Sequence, residues 1–191
     1  MKSVQRQGVI RIRDVKEMGI HPETVRRLYA KGLLIRTGRG LYTPADAEVT
    51  MHHSLVEAAK RVPGGVVCLL SALAFHDIGT QLPHEVWLAL DRTARRPRVD
   101  YPPLRVVRFS GQALMEGIEE HVLEGAKVRI YSLAKTVVDC FKYRNKLGLD
   151  VALEALRECW RGQKCTTDDL AHFARLCRVW NVMRPYLETV V

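Results

Sequence analysis

The chain has 191 residues, 47% of them hydrophobic, with 30 Lys and Arg against 21 Asp and Glu and a formal net charge of +9. That length holds one small module plus one domain with a core of its own, and no apolar run reaches the ~20 residues that span a bilayer. No charged start leads into an apolar signal segment, so the expected location is cytoplasmic. The five cysteines (Cys68, Cys140, Cys159, Cys165, Cys177) are odd in number and lack close pairing, and they are expected to be reduced, buried thiols.

The first 44 residues read as two helices, a corner and a basic hairpin. Gly19 suits the left-handed position that stops a helix over 13–18, and Pro22 suits the first turn of the next, where its missing N–H costs nothing. The corner Gly19-Ile20-His21 has the length of the turn in a helix-turn-helix. A second helix over 22–31 sets Val25, Leu28 and Tyr29 at i, i+3 and i+4 as an apolar face and turns Glu23, Arg26 and Arg27 elsewhere. Gly32 ends it. Leu33-Leu34-Ile35, Arg36-Thr37-Gly38-Arg39-Gly40 and Leu41-Tyr42-Thr43 then form a two-stranded wing with glycines at its tip. Only residues 1–7 precede this pattern, so the first helix is expected to be short or truncated and the module to lean on the second domain.

The charge belongs to this module. Residues 1–44 contain ten Lys or Arg against three acids, +7 of the chain's +9, whereas the other 147 residues carry 20 basic and 18 acidic side chains. A field concentrated on a small helix-turn-helix favours a polyanion, and double-stranded DNA above the protein contacts that small winged helices also make.

A boundary is expected near Thr43-Pro44-Ala45-Asp46. Thr50 is placed to cap a helix over 51–61, with Leu55, Ala58, Ala59 and Val62 inward, stopped by Pro63-Gly64-Gly65. Residues 66–70 read as a strand, and Ser71 as the cap of a helix over 72–77 that ends near Gly79. Two more strands are expected over 85–90 and 104–109. Between them lies a loop with four arginines in seven positions, Arg92, Arg95, Arg96 and Arg98, kept extended by Pro97, Pro102 and Pro103; it reads equally as a solvated basic loop or as a second polyanion contact, to DNA or RNA. Residues 119–124 and 127–131 suggest a hairpin around Gly125. Ser132 caps a helix over 133–145, a second amphipathic helix covers 150–160, Thr166 opens a third that runs to about 180, and Pro185 breaks the last segment, 182–190. The expected class is α+β: an N-terminal winged helix-turn-helix over 1–44, then a mixed α/β domain over 45–191 with a helical C-terminal third.

Three stretches, Gly38-Arg39-Gly40-Leu41-Tyr42, Leu70-Ser71-Ala72-Leu73-Ala74-Phe75-His76-Asp77-Ile78-Gly79 and Tyr131-Ser132-Leu133-Ala134-Lys135-Thr136-Val137-Val138-Asp139, occur in an order that resembles the AbiEi family of type IV toxin–antitoxin antitoxins. The resemblance implies a winged-helix domain that represses its own operon and a C-terminal domain with antitoxin activity. It implies a functional partner, a nucleotidyltransferase-like toxin, which the antitoxin need not bind directly. No cofactor and no enzymatic activity are implied.

In the DNA-binding reading the helix over 22–31 enters a major groove with Glu23, Thr24, Arg26 and Arg27 nearest the bases and flanking phosphates. Arg36 and Arg39 of the wing position the module, and Arg11, Arg13 and Lys16 are placed for backbone contacts. Lys135, Thr136 and Asp139 are candidates for antitoxin function, with a surface i, i+4 ion pair as the plain alternative.

Other chemistries have weaker support. Ser71, His76 and Asp77 lack the Gly-x-Ser-x-Gly elbow of a hydrolase. Asp77, Glu85 and Asp91 suggest a metal-dependent nuclease, but Trp87 stands where the usual lysine would follow Glu85. Cys159, Cys165, His172 and Cys177 are spaced too widely for a structural zinc site. A ligand-sensing regulator with a pocket in the second domain and no toxin partner stays open.

Overall fold

A computed structural model describes residues 9–17, 19–38, 40–46 and 50–190, without the side chains of Lys16 and Glu17. The fold is mixed α/β, with short helices and strands at the N-terminus and helices through the C-terminal third. A two-residue strand β1 (Ile10–Arg11) leads into α1 (Ile12–Glu17) and α2 (Pro22–Ala30), followed by β2 (Leu34–Gly38) and β3 (Leu41–Pro44). Gly19 at φ +73° ends α1 by letting the Ile20 N–H return to the Val15 carbonyl at 3.0 Å. Pro22 opens α2, and the His21 ring caps it by accepting the Glu23 N–H. Strand β1 pairs with β3, so the wing is a three-stranded sheet in the order β1-β3-β2 rather than the expected two-stranded hairpin. Two residues are too few to show a period, and their partner lies about thirty positions away.

Helix α3 (His53–Arg61) follows, then β4 (Val66–Val67), α4 (Leu69–Phe75), β5 (Val86–Asp91), β6 (Leu104–Phe109), α5 (Gln112–Met115), β7 (Ile118–Leu123) and β8 (Ala126–Tyr131). The five strands make one mixed sheet in the order β6-β5-β4-β8-β7. Strand β4 runs antiparallel to β5 and parallel to β8, and β5 runs parallel to β6. The chain closes in helices α6 (Leu133–Lys142), α7 (Arg144–Leu147), α8 (Leu149–Arg161), α9 (Thr167–Leu176) and α10 (Trp180–Val190).

Strand alternation divides the interior between the two faces of this sheet. Val86, Leu88 and Leu90 of β5 join Val128 and Ile130 of β8 against Leu55, Val56 and Ala58 of α3 and Val62 just after it. Trp87 and Ala89 point the other way, with Val107, Phe109 and Tyr131, into the helical layer of Val137, Phe141, Leu156, Leu170 and Met183. Val9 and Leu41 of the N-terminal segment are buried in the α3-side core, which therefore runs across residues 44–46.

Polar contacts fix the same junction. Arg11 donates to the Lys60 carbonyl at 2.9 Å, Lys60 pairs with Asp14 at 2.6 Å, and Arg61 donates to the Thr37 carbonyl at 3.1 Å. The Arg61 guanidinium occupies the space that a Cβ at Gly38 would fill. The short first helix is thus supported by the last turn of α3.

At the other end of α3, Glu124 in the β7–β8 turn accepts from the Thr50 N–H and hydroxyl at 3.2 and 2.8 Å and meets His53 Nδ1 at 2.8 Å. Burial pushes the Glu124 carboxyl up, but the His53 and Thr50 hydrogen bonds outweigh it and leave its pKa below the ordinary 4.5. A depressed folded-state pKa gives stability that is present above the unfolded value and lost as pH falls through the folded one. Glu124→Gln is therefore expected to melt below the native chain at pH 7, with the gap closing below about pH 4.5; thermal melts across pH 7 to 3 measure this, and a gap constant with pH would refute it.

Several expected details differ. Thr50 does not cap α3, which starts two residues after the expected position behind His52; its hydroxyl accepts the His52 N–H and donates to Glu124. The strand expected over 66–70 is only Val66–Val67, and Ser71 lies inside α4, where its hydroxyl takes the Trp87 N–H at 2.9 Å and donates to the Glu85 carbonyl. The Ser132 and Thr166 caps form as expected. Helix α10 continues through Pro185, whose lost partner, the Asn181 carbonyl, sits at an exposed position open to water. Cys159 and Cys165 form a disulfide rather than two thiols, because the turn from α8 to α9 brings their Cα atoms to 6.2 Å. Cys68, Cys140 and Cys177 are free and buried.

Candidate nucleic-acid interface

Helix α2 turns Val25 inward onto Ile10, Val15, Leu34 and Tyr42, with Leu28 half-buried beside them. Tyr29, expected on that face, is 48% exposed and packs edge-on against the Tyr42 ring at 5.8 Å between centroids. The outer face presents Glu23, Arg26 and Arg27, with Thr24 half-buried next to them. Arg26 pairs with Glu23 at 3.3 Å, and with 74% and 65% of the two side chains exposed that pair contributes little stability. The Arg27 side chain has no hydrogen-bond or ionic partner among the described residues. Leu33 and Ile35, 51% and 54% exposed, are apolar positions on the approach to the wing and in its strand β2.

The other candidates scatter. Arg36 folds back onto its own hairpin, donating to the Gly38 carbonyl at 3.2 Å. Arg11 is engaged by the last turn of α3, donating to the Lys60 carbonyl at 2.9 Å. Arg13 is exposed and has an interaction of its own. Arg39 and the Lys16 side chain lie outside the described residues. Arg92, Arg95, Arg96 and Arg98 all lie on the β5–β6 connection, with Arg95 and Arg96 exposed at its middle. Hydrogen bonds from Thr93 hold the Asp91 carboxyl, at the root of that connection, below the usual range.

Lys135, Thr136 and Asp139 are not a surface group. All three are fully buried, with Lys135 Nζ 2.5 Å from Asp139 Oδ2 and over the Tyr131 and Phe109 rings at 4.4 and 4.8 Å. Cys177 donates to the other Asp139 oxygen, and the Thr136 hydroxyl donates to the Tyr131 carbonyl. Burial pushes the Asp139 carboxyl up, against the pull of Lys135, and burial beside Asp139 pushes the Cys177 thiol up to about 11. The i, i+4 spacing was visible in the sequence, but its burial depends on Tyr131 and Phe109, which arrive from two strands.

Ser71, His76 and Asp77 do not form a relay: Ser71 bonds to β5, the His76 ring bonds to the Tyr131 carbonyl at 2.8 Å, and Asp77 is exposed. Among the described residues no three His, Cys, Asp or Glu side chains converge as metal ligands, and no helix is long and apolar enough to cross a membrane. No local pattern in the sequence marks a cavity of about 590 Å³ on the helical side of the sheet, lined by His76, Gly117, Ser132, Lys164, Asp169 and Phe173 among others. It joins the end of one family-like stretch to the start of another.

A family profile described as "Transcriptional regulator, AbiEi antitoxin" matches residues 2–45, so the likeness at this level is an AbiEi-like N-terminal domain. Among solved structures the chain is similar to the crystal structure of the RV2827C protein from Mycobacterium tuberculosis, at 16% identity and a TM-score of 0.58, over 89% of this chain and 67% of that one. At this identity the likeness concerns the fold. No curated protein matches the chain.

Proposed function

We propose that this chain is a DNA-binding antitoxin of the AbiEi type, which binds the promoter of its own operon through residues 1–44 and counteracts a nucleotidyltransferase-like toxin through residues 45–191. The observation that carries the DNA-binding half is the outer face of α2, where Arg27 stands exposed and unpartnered beside Arg26 and Glu23, on a helix whose inner face is fixed against the wing. Helix, turn, helix and wing in this order make a winged helix-turn-helix, and its second helix is the one that lies in a major groove. The AbiEi profile over residues 2–45 supports the same reading. The antitoxin half rests on the two family-like stretches around α4 and α6. Direct binding of the toxin is not required by it, and no catalytic group is assigned.

Because Val9 and Leu41 are part of the α3-side core, cutting the chain at residue 45 would open that core. Point variants of the full chain are therefore the sound test. The full chain is expected to retard a duplex from upstream of its own coding region more strongly than a scrambled duplex. Co-expressed with the product of a neighbouring nucleotidyltransferase-like gene, it is expected to restore growth, and a variant lacking Arg26 and Arg27 is expected to restore growth equally well. Equal retardation of both duplexes would remove the regulatory half, and failure of the native chain to rescue would remove the antitoxin half.

The cavity beside His76 and Ser132 favours a second reading, a regulator that senses a small ligand there. That reading predicts a metabolite that raises the melting temperature and changes duplex affinity, with no toxin in the neighbourhood.

A further inference from the structure

The loop between β5 and β6 carries Arg92, Arg95, Arg96 and Arg98, and none of these side chains has a hydrogen-bond or ionic partner among the described residues. The loop is nonetheless built. Asp91 Oδ1 accepts from the Thr93 N–H and hydroxyl, the Asp91 carbonyl accepts from Ala94 N–H at 3.1 Å and from Arg108 at 2.8 Å, and Ala94 and Val99 pack onto the α3-side core. Prolines 97, 102 and 103 restrict the backbone between them. A backbone held this way loses little freedom on meeting a partner.

Topology places the root of the loop at the end of the sheet where α3 holds the N-terminal module. Strand β4 starts just after the C-terminus of α3, β5 runs antiparallel to β4, and β8 runs parallel to it. The end of α3, the starts of β4 and β8 and the end of β5 therefore lie at one end of the sheet. The end of α3 is where Arg61 holds the wing and Lys60 holds Arg11. The arginine loop springs from the end of β5, and its apolar residues pack on the same sheet face as α3, Val9 and Leu41. Strands β5 and β8 are two positions apart in the sheet, a spacing of roughly 10 Å.

We infer that the β5–β6 loop is a second anchor for the duplex bound by α2, gripping phosphates that flank the site read by the helix. This rests on the DNA-binding reading above. Duplex DNA carries a charge about every 1.7 Å along its axis, so an arginine cluster that starts from the same end of the sheet as the module meets several phosphates of the same molecule. No aromatic side chain is interleaved with the arginines, as stacking on single strands would need, and the contact is therefore positional rather than specific.

The test compares the full chain with R92A/R95A/R96A/R98A and with the charge-preserving R92K/R95K/R96K/R98K, on the upstream duplex and on a scrambled one, at several salt concentrations. The alanine variant is expected to lower the slope of log affinity against log salt by about 3.6 if all four arginines meet phosphates, at ~0.9 per neutralised phosphate of B-DNA, and to shorten the hydroxyl-radical footprint on one flank. The lysine variant should keep the slope, and both variants should keep the native preference for the upstream duplex and the native melting temperature. An unchanged slope and footprint in the alanine variant, while Arg27→Ala still weakens binding, would overturn the anchor and leave the DNA-binding reading intact. Loss of single-stranded RNA binding with an unchanged duplex slope would also overturn it. Absence of duplex binding by the native chain would overturn the reading on which it rests.

Discussion

Replacing Asp139 by alanine is expected to cost about 3–5 kcal/mol, the range found when one member of a buried ion pair is removed. In a chain of this length that lowers the melting temperature by roughly 10 °C. Lys135 Nζ has no route to solvent: it lies against the Tyr131 and Phe109 rings, and Asp139 is its ionic partner among the described residues. Asp139→Ala leaves an amine in the core with two ring faces and no carboxylate, and it strands the Cys177 thiol as well. Two aromatic faces offset part of the loss, but not the desolvation. The sharper measurement is the double variant Lys135→Met, Asp139→Leu, expected to melt close to the native protein because apolar groups of similar length and branching remove both charges together. If it also keeps toxin rescue, these residues serve the fold, and the family-like stretch that contains them matters for the position of α6. A double variant as unstable as Asp139→Ala would refute this account.

How far the sequence could be read depended on the distance over which each feature is decided. The corner between α1 and α2 is decided by Gly19 and Pro22 within four positions, and it was legible. The start of α4 is decided elsewhere. Its first residue, Leu69, sits at φ +49°, and Ser71 two residues later is drawn into the sheet by the Trp87 N–H and Glu85 carbonyl. A local capping rule applied to Ser71 had no access to those partners, 16 and 14 residues ahead. Tyr29 shows a gentler form of the same limit, because the 3.6 period places it beside Val25 and Leu28 while the small core under α2 is already filled by Tyr42 and Ile10. The arginine loop divides the two kinds of knowledge most plainly. Its composition is local and legible in the sequence, but the end of the sheet from which it springs follows only from the order and direction of strands β4, β5 and β8.

Arg27→Ala is expected to weaken binding to the upstream duplex by roughly 1–3 kcal/mol, about 5- to 150-fold, if its guanidinium takes a base edge. The pattern of loss then identifies the contact. A base contact relaxes discrimination at one position of the site, whereas a phosphate contact weakens every duplex alike and lowers the salt slope by about one. Arg26→Ala should do less alone, because Arg26 already shares its charge with Glu23 at 3.3 Å. Glu23→Ala should release Arg26 and strengthen binding to scrambled DNA, which makes Glu23 a source of selectivity rather than affinity. None of the three changes should move the melting temperature appreciably, since all three side chains lie on the outer face of a helix anchored by Val25 and Leu28 from the opposite side. Anisotropy titrations at two salt concentrations measure these effects. Unchanged affinity in Arg27→Ala at both concentrations would move the interface off α2, and the sign of the Glu23 effect tests whether the helix presents this face to bases or to phosphates.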